Sequence, residues 1–330
     1  MTIREELENR ELEYLCADAC PNIGHAHRQR PEESCPYRTE FQRDRDRILH
    51  CNSFRRLKRK TQVFLSPVGD HYRTRLTHTL EVSQIARTIS RALYLNEDLT
   101  EAIALGHDLG HAPFGHSGES VLNHICPHGF HHYEQSLRVV DCLEKDGKGL
   151  NLTDEVRNGI LCHTNRIAST KEGNVVRVAD RIAYMNHDIE DAIRAGILQE
   201  SDLPEDVTAV LGHSKTERIT TLVGDVIAHG TAEIGMSPEI QKYHDKLHAF
   251  LFEHVYYNPA AKKEEDKVKN LIEMLYTHFV SHVSSMPEEY QQIAEKEDVH
   301  RAVCDYISGM SDNYAIHLYT DLFVPQRWAK

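Results

Sequence analysis

No apolar run in the 330-residue chain approaches the roughly 20 residues that a bilayer-spanning helix needs, so no membrane attachment is expected. A secretory leader is missing as well: the start, MTIREELENRELEYL, is charged and helix-like, without an apolar stretch and small-residue cleavage site, which points to the cytoplasm. A disulfide framework is excluded by dilution. Cys16, Cys20, Cys35, Cys51, Cys126, Cys142, Cys162 and Cys304 are too sparse and irregular for one and read as reduced thiols. Cys16 and Cys20 followed by His25, His27 and Cys35 do offer metal-ligating atoms, but not at a standard zinc-knuckle spacing. Internal repeats and low-complexity tracts are absent, and strand signals are scarce. Positive charge is short overall: the net charge is −13, which argues against a general nucleic-acid binder.

The charge balance reverses locally. Between Arg43 and Lys60 eight Lys/Arg stand against two Asp, a pattern suited to a small polyanion or confined phosphate, or to a solvated face or oligomer contact. Elsewhere helical periodicity dominates. From Thr77 to Leu95 the apolar residues Val82, Ile85, Ile89 and Leu93 form a stripe that also carries His78. A second helix is predicted from Leu99, with Thr100 as a possible N-cap, to about Leu109, delivering His107 and Asp108 at its end before Pro113 turns the chain. A third runs from about Thr153 to His163, and a fourth from Asn174 to about Arg194. On the fourth, Val175, Val178, Ile182, Ile189 and Ile193 face a core, while Arg177, Asp180, Tyr184 and Asp188 stack on a neighbouring ridge. Further helical patterns lie near Glu239 to Tyr256, Glu264 to Ser284 and Val299 to Leu318. The one strand signal is a short hairpin from Gln62 to Tyr72 around Pro67 and Gly69. The predicted fold class is all-α or nearly so.

Chemistry concentrates in HDLGHAPFGHSGE, residues 107 to 119, with three histidines and two carboxylates in one stretch. Adjacent residues on a regular helix point about 100° apart, yet at a helix end flanked by Gly106 and Gly110 both His107 and Asp108 can reach one ion. Imidazole with carboxylate suits Mg, Mn, Fe, Co, Ni or Zn. Two more ligands must come from elsewhere, and His78 and Asp180 qualify because each lies on an inward face where an unpaired polar group is costly. The glycines are expected to let backbone approach a bulky anion and to let the chain reverse at Pro113.

The order H…HD…D on separate helical segments resembles the HD superfamily of metal-dependent phosphohydrolases. Six ordered blocks carry the resemblance further, to dGTPase-like deoxynucleoside triphosphate triphosphohydrolases: QRDRDRILHCNSFRRLKRKTQVF (42–64), TRLTHTLEV (74–82), HDLGHAPFGHSGE, FHHYEQSLRVV (130–140), ADRIAY (179–184) and VCDYISGMSDNYAIHLY (303–319). The resemblance implies metal ligands His78, His107, Asp108 and Asp180, and a catalytic pair His116 and Glu119, three residues apart, with the carboxylate orienting the imidazole. It further implies that His111 and His132 face the phosphates, that Arg75 holds the α-phosphate, and that Arg181 reaches the triphosphate. Gln62, Tyr184 and Asp188 would sit by the deoxyribose. The chain departs from the family pattern at Asn313, where a basic residue is usual, and at His131 and Tyr133.

The implied architecture is an HD-domain helical core over residues 41–200, preceded by an N-terminal segment, 1–40, and followed by a C-terminal helical region, 201–330, packed on the core. The implied reaction is hydrolysis at the α-phosphorus of dGTP or another dNTP, releasing deoxynucleoside and inorganic triphosphate, with a divalent metal activating water. An activating nucleotide and a homo-oligomer are implied partners. Two other readings stay open: an HD phosphohydrolase acting on a nucleoside monophosphate or cyclic nucleotide, with His132 or His163 completing a second metal site, and a nucleotide sensor without catalysis.

Overall fold

The computed structural model describes residues 1–62, 73–256 and 259–325, and the side chains of all of these except 256 and 259–263. Among them there is no sheet; the extended pairings are isolated bridges between Arg28 and Thr153 and between Thr61 and Thr74. The predicted hairpin from Gln62 to Tyr72 lies, beyond Gln62 itself, outside the described residues. None of the described helices is long and apolar enough to cross a membrane.

Helices α1 (Ile3–Tyr14) and α2 (Glu40–His50) open the chain, each begun by a capping box, Thr2 with Glu5 and Thr39 with Gln42, that satisfies otherwise orphaned backbone N–H groups. After the short α3 (Asn52–Arg56) come α4 (Arg75–Ala92), α5 (Glu97–Gly106), α6 (Gly115–Ile125), α7 (His132–Arg138), α8 (Asp154–Cys162) and α9 (Lys171–Arg194). The predicted stripe on α4 is buried, with Val82, Ile85 and Ile89 at 2% exposure or less. The start of α5 differs from expectation: Asn96 caps it, its side chain accepting from the N–H groups of Asp98 and Leu99. Thr100 sits inside the first turn, where its hydroxyl donates to the Asn96 carbonyl. Helix α9 likewise starts earlier than predicted, because Thr170 accepts from Gly173 N–H.

The remaining helices are α10 (Glu205–Leu211), α11 (Lys215–His229), α12 (Pro238–Leu251), α13 (Pro259–Ser281), α14 (Glu288–Lys296), α15 (Val299–Ser308) and α16 (Asp312–Phe323). The single pattern predicted from Val299 to Leu318 is two helices. Ser311 caps α16 after the turn at Gly309 and Met310, and the apolar spacing alone does not register that break.

Two apolar clusters organise the packing. One gathers α2, α4, α5, α8 and α9 with Leu203 to Val255 from the later helices. The other packs Phe114 and Leu122 of the α6 region against α13, α15 and α16, through Phe279, Val303, Ile307 and Ala315. Helix α6 therefore stands between the α4–α5–α9 group and the C-terminal helices. Its entry is anchored by buried Asp312, whose two oxygens accept from Phe114 N–H (2.9 Å) and from Thr61 N–H and hydroxyl (2.9 and 2.8 Å).

The basic segment splits in two. In α2, Arg43, Arg45 and Arg47 are consumed by ion pairs with Glu40, Asp46 and Glu32. Lys60 is buried and donates to the carbonyls of His111 and Ser308. The rest, from Arg55 to Arg59, borders a groove of about 560 Å³ with Tyr290, Tyr306 and Tyr314.

Candidate active site

Four side chains from three helical segments converge. His78 from α4 places Nε2 3.0 Å from Asp180 Oδ1 of α9 and 3.8 Å from Asp108 Oδ2. His107, just past the end of α5, places Nε2 3.4 Å from Asp108 Oδ1 and 3.8 Å from Asp180 Oδ1. The metal-binding atoms of His78, His107 and Asp108 all lie within 4.8 Å of one another. Three of the four side chains are at most 4% exposed, whereas Asp180 is 20% exposed, so the centre opens on the Asp180 side.

Hydrogen bonds behind the rings set which nitrogen faces inward. His107 Nδ1 donates to the Ala104 carbonyl (2.6 Å), which leaves Nε2 buried and without a partner. His187 Nε2 meets Glu81 Oε2 at 2.8 Å, and burial holds His187 down to about 4, a neutral ring. His187 Nδ1 stands 3.2 Å from His78 Nδ1, so the His78 tautomer that donates to His187 is the one that turns an Nε2 lone pair toward a cation beside Asp180. The orphaned His107 Nε2 faces the same point. Imidazoles oriented by a second hydrogen bond, with two carboxylates, are the donor set of a first-row divalent cation, and the residues fit one. Burial alone would raise Asp108, but His107, His111 and Arg75 outweigh it and hold the carboxyl well below its ordinary range. Asp180 is lowered too, with burial opposed by the hydrogen bond to His78 and by His107.

A second layer sits against this centre. Arg75, 1% exposed, gives one N–H to Asp108 Oδ2 (3.0 Å), while its Nε and Nη2 are buried with no partner. His111 Nε2 approaches Asp108 Oδ1 at 3.1 Å, and its ring stacks on His132 at 3.9 Å between centroids. Asp108, His111 and His132 form another group whose ligand atoms lie within 4.8 Å. The Glu119 carboxylate accepts from both the ring Nδ1 and the backbone N–H of His132, each at 2.9 Å. Against burial, those bonds hold Glu119 down to about 2.

His116 is not hydrogen-bonded to Glu119; its ring is solvent-accessible and meets His111 edge-on, 6.0 Å between centroids. The carboxylate expected to orient His116 orients His132 instead and acts on His116 through space. Packing around the ring, Arg75 and His132 lower the His116 pKa, while Glu119 and Asp108 pull the other way.

The other expected site residues divide. Gln62 is buried with Oε1 unpartnered, as is Asp188 with Oδ1 unpartnered. Burial, with Asp191 beside it, raises Asp188 well above its ordinary value. Tyr184 is half-buried and meets the ring of His248 on α12 at 6.0 Å. Arg181 sits apart from the centre and donates to the Thr164 carbonyl at 3.4 Å. Of the departures, Asn313 and His131 are exposed, and Tyr133 stacks on His131 at 5.3 Å and meets His132 edge-on at 5.6 Å.

The glycines serve packing as much as access. A Cβ on Gly110 would stand 2.1 Å from Ser136 N, so this position lets the HD turn lie directly against α7. Phe114 (φ 64) and Gly115 (φ 60) are both left-handed, which re-aims the chain into α6 and places Gly115 beside Arg75.

Beyond the residues assigned through the resemblance, others lie at the site, including His163, which the sequence offered only for a second metal site. His187 and Glu81 support His78, and the signal was spacing: His187 lies seven residues after Asp180 on one helix, and Glu81 three after His78. His163 donates from Nδ1 to the Ile160 carbonyl, its Nε2 lies 3.1 Å from His132 Nε2, and burial with His107 nearby lowers it to about 3. Lys60 and Asp312 carry no local signal.

Comparison with known proteins places the chain in a family. The HD domain model matches residues 75–185, and the phosphohydrolase-associated domain model matches residues 234–321. A deoxyguanosinetriphosphate triphosphohydrolase-like protein of Caldanaerobacter subterraneus subsp. tengcongensis is 56% identical over 99% of this chain and 98% of its own. One of the same description from Desulfatibacillum aliphaticivorans is 48% identical over 98% and 99%. A crystal structure of a hypothetical protein from Aquifex aeolicus shares the fold, with a TM-score of 0.50 at 18% identity over 86% of this chain and 68% of that one. With a near full-length relative at this identity and an HD match that begins at Arg75, the chain belongs to the deoxyguanosinetriphosphate triphosphohydrolase-like family of HD-domain proteins.

Proposed function

We propose that the protein is a metal-dependent triphosphohydrolase that cleaves deoxynucleoside triphosphates at the α-phosphorus, releasing deoxynucleoside and intact inorganic triphosphate. The observation that carries this reading is a set of buried polar atoms without partners around one centre: Arg75 Nε and Nη2, His107 Nε2, His111 Nδ1, Gln62 Oε1 and Asp188 Oδ1. Leaving such atoms unpaired costs about 1–3 kcal/mol each, so a polar ligand that satisfied them would be bound favourably. Guanidinium donors match phosphoryl oxygens, while an amide oxygen and a buried carboxyl oxygen match a sugar hydroxyl. The names of the relatives, deoxyguanosinetriphosphate triphosphohydrolase-like, are in keeping with it.

A divalent cation held by His78, His107, Asp108 and Asp180 would polarise a phosphoryl oxygen and lower the pKa of attacking water. Arg75, its other arm fixed on Asp108, binds the α-phosphate and neutralises charge that builds there. His111, with His132 stacked behind it, faces the phosphates, and Arg181 meets the outer ones at the rim. Gln62 and Asp188 bond the 3′-hydroxyl, and Tyr184 blocks a 2′-hydroxyl. An arriving polyanion reinforces the pull of Glu119 and Asp108 on His116. The ring therefore takes up a proton as substrate binds and gives it to the departing 5′-oxygen.

A two-ion phosphoesterase is the second reading, favoured by the Asp108, His111 and His132 group. One assay separates the readings: incubation of metal-loaded protein with each dNTP and rNTP, singly and mixed, and resolution of products by ion exchange. Triphosphate with deoxynucleoside is expected. A nucleoside monophosphate product, or turnover of other phosphoesters alone, overturns the proposal, and no turnover with any mixture or metal favours a sensor.

A further inference from the structure

Outside the HD centre, one other cluster among the described residues joins a thiol, an imidazole and a carboxylate. Cys20, His25 and Glu155 place a ligand atom each within 4.8 Å of one another, and His25 Nδ1 lies 3.9 Å from Glu155 Oε1. The loop bearing the imidazole is bent through left-handed residues, Gly24 at φ 83 and Ala26 at φ 61, and is tied down on both sides. Asn22 N–H donates to Glu11 (2.8 Å), and the carbonyl of His27 accepts from Asp154 N–H at the start of α8 (2.9 Å).

Beside the cluster lies Glu172, 0% exposed, in the first turn of α9. Its Oε1 accepts from the backbone N–H of Cys20 (2.9 Å) and of Asn96 (3.0 Å), while Oε2 is buried with no partner. Glu155 Oε2 is also buried and unpartnered. Burial, then Glu172, Glu155 and Glu11, push the Cys20 thiol well above its ordinary range. A buried thiol facing unsatisfied carboxylate oxygens is an unfavourable arrangement for a bare protein and a favourable one around a cation.

We propose that Cys20, His25 and Glu155 form a second metal site, structural rather than catalytic, for a borderline-soft divalent cation of the zinc class, with the free oxygen of Glu172 beside it. Sulfur, nitrogen and oxygen ligands at bond lengths of about 2.0–2.3 Å stand roughly 3.3 to 3.6 Å apart in a tetrahedron. Closing the cluster to that size takes a shift of about 1 Å, which the half-exposed His25 supplies by rotating. Binding displaces the thiol proton. The ion then clips the N-terminal segment to α8 and, through Cys20 and Glu172, to α9, the helix that carries Asp180. Of the thiols and histidines near the N-terminus, the fold selects Cys20 and His25. Cys16, His27 and Cys35 stand outside the cluster, and its third member comes from a distant helix.

The test is reconstitution of the metal-free full-length protein with cobalt(II). The HD centre contains no thiol, so a thiolate-to-cobalt charge-transfer band that depends on Cys20 reports the second site. A saturable band is expected, lost in Cys20→Ser and retained in Cys16→Ser. His25→Ala, a change at an exposed side chain, should weaken cobalt and zinc binding at this site by about tenfold or more. No thiolate band at saturating cobalt in the folded wild type, or a band that survives Cys20→Ser, overturns the proposal. Should Cys20→Ser fail to fold, unchanged affinity in His25→Ala overturns it alone.

Discussion

His78 and His187 meet Nδ1 to Nδ1 at 3.2 Å, and this contact, backed by Glu81 at 2.8 Å from His187 Nε2, decides which nitrogen of His78 faces Asp180. An outer partner of this kind sets the tautomer and basicity of a ligand. His187→Phe, which keeps a ring but loses both nitrogens, should weaken metal binding by about 10–100-fold with the HD residues intact. Competitive chelator titration checks it; unchanged affinity would remove His187 from the site.

Arg75 separates binding from scaffolding. Arg75→Ala removes charge-assisted bonds worth about 1.5–3 kcal/mol and should lower kcat/KM by about 10–150-fold. Arg75→Lys should recover only part, because a point charge cannot hold Asp108 and a phosphate in one plane. Steady-state kinetics with the best dNTP substrate measures both.

His116 and Asp180 should fail in different ways. His116→Ala should lower turnover by at least about 10²–10⁴-fold, the usual worth of a positioned proton donor, while metal content by mass spectrometry stays near wild type. Asp180→Ala should lose both metal and turnover. Glu119→Gln should share the His116 phenotype in part, because the neutral amide keeps one oxygen to accept from His132 but no longer carries the charge that favours a proton on His116.

Lys60 links stability to pH. Burial holds its amine down to about 7, against an ordinary 10.5. Between those values the unfolded chain binds more protons at this residue than the folded one, so its contribution to stability rises with pH across that window. Thermal melts of wild type and Lys60→Met at pH 7 and pH 9 should show the wild type gaining relative to the variant at the higher pH. An equal difference at both would mean that Lys60 stays charged when buried.

What could be read from the linear chain was what repeats along one helix. The stripe Val82, Ile85, Ile89 on α4 and the ridge Asp180, Tyr184, Asp188 on α9 are matters of periodicity, and the structure keeps both. Helix ends were harder, because Asn96 and Thr170 act through side-chain bonds to backbone N–H groups that spacing does not encode. Pairings across the fold were out of reach. The resemblance paired Glu119 with His116, three residues away, but the hydrogen bonds of Glu119 go to His132 on another helix. The thiol that matters near the N-terminus was equally hidden, since its carboxylate neighbours come from α8 and α9.

Asp312 accepts from the backbone N–H of Phe114, a residue 198 positions earlier, and from Thr61, 251 positions earlier. During synthesis His78, His107, Asp108 and Asp180 all emerge well before that aspartate, and the left-handed turn into α6, on which His116 and Glu119 ride, lacks its anchor until residue 312 leaves the ribosome. Assembly thus has a built-in order, in which the last stretch of the chain ties down a turn laid out near its first third.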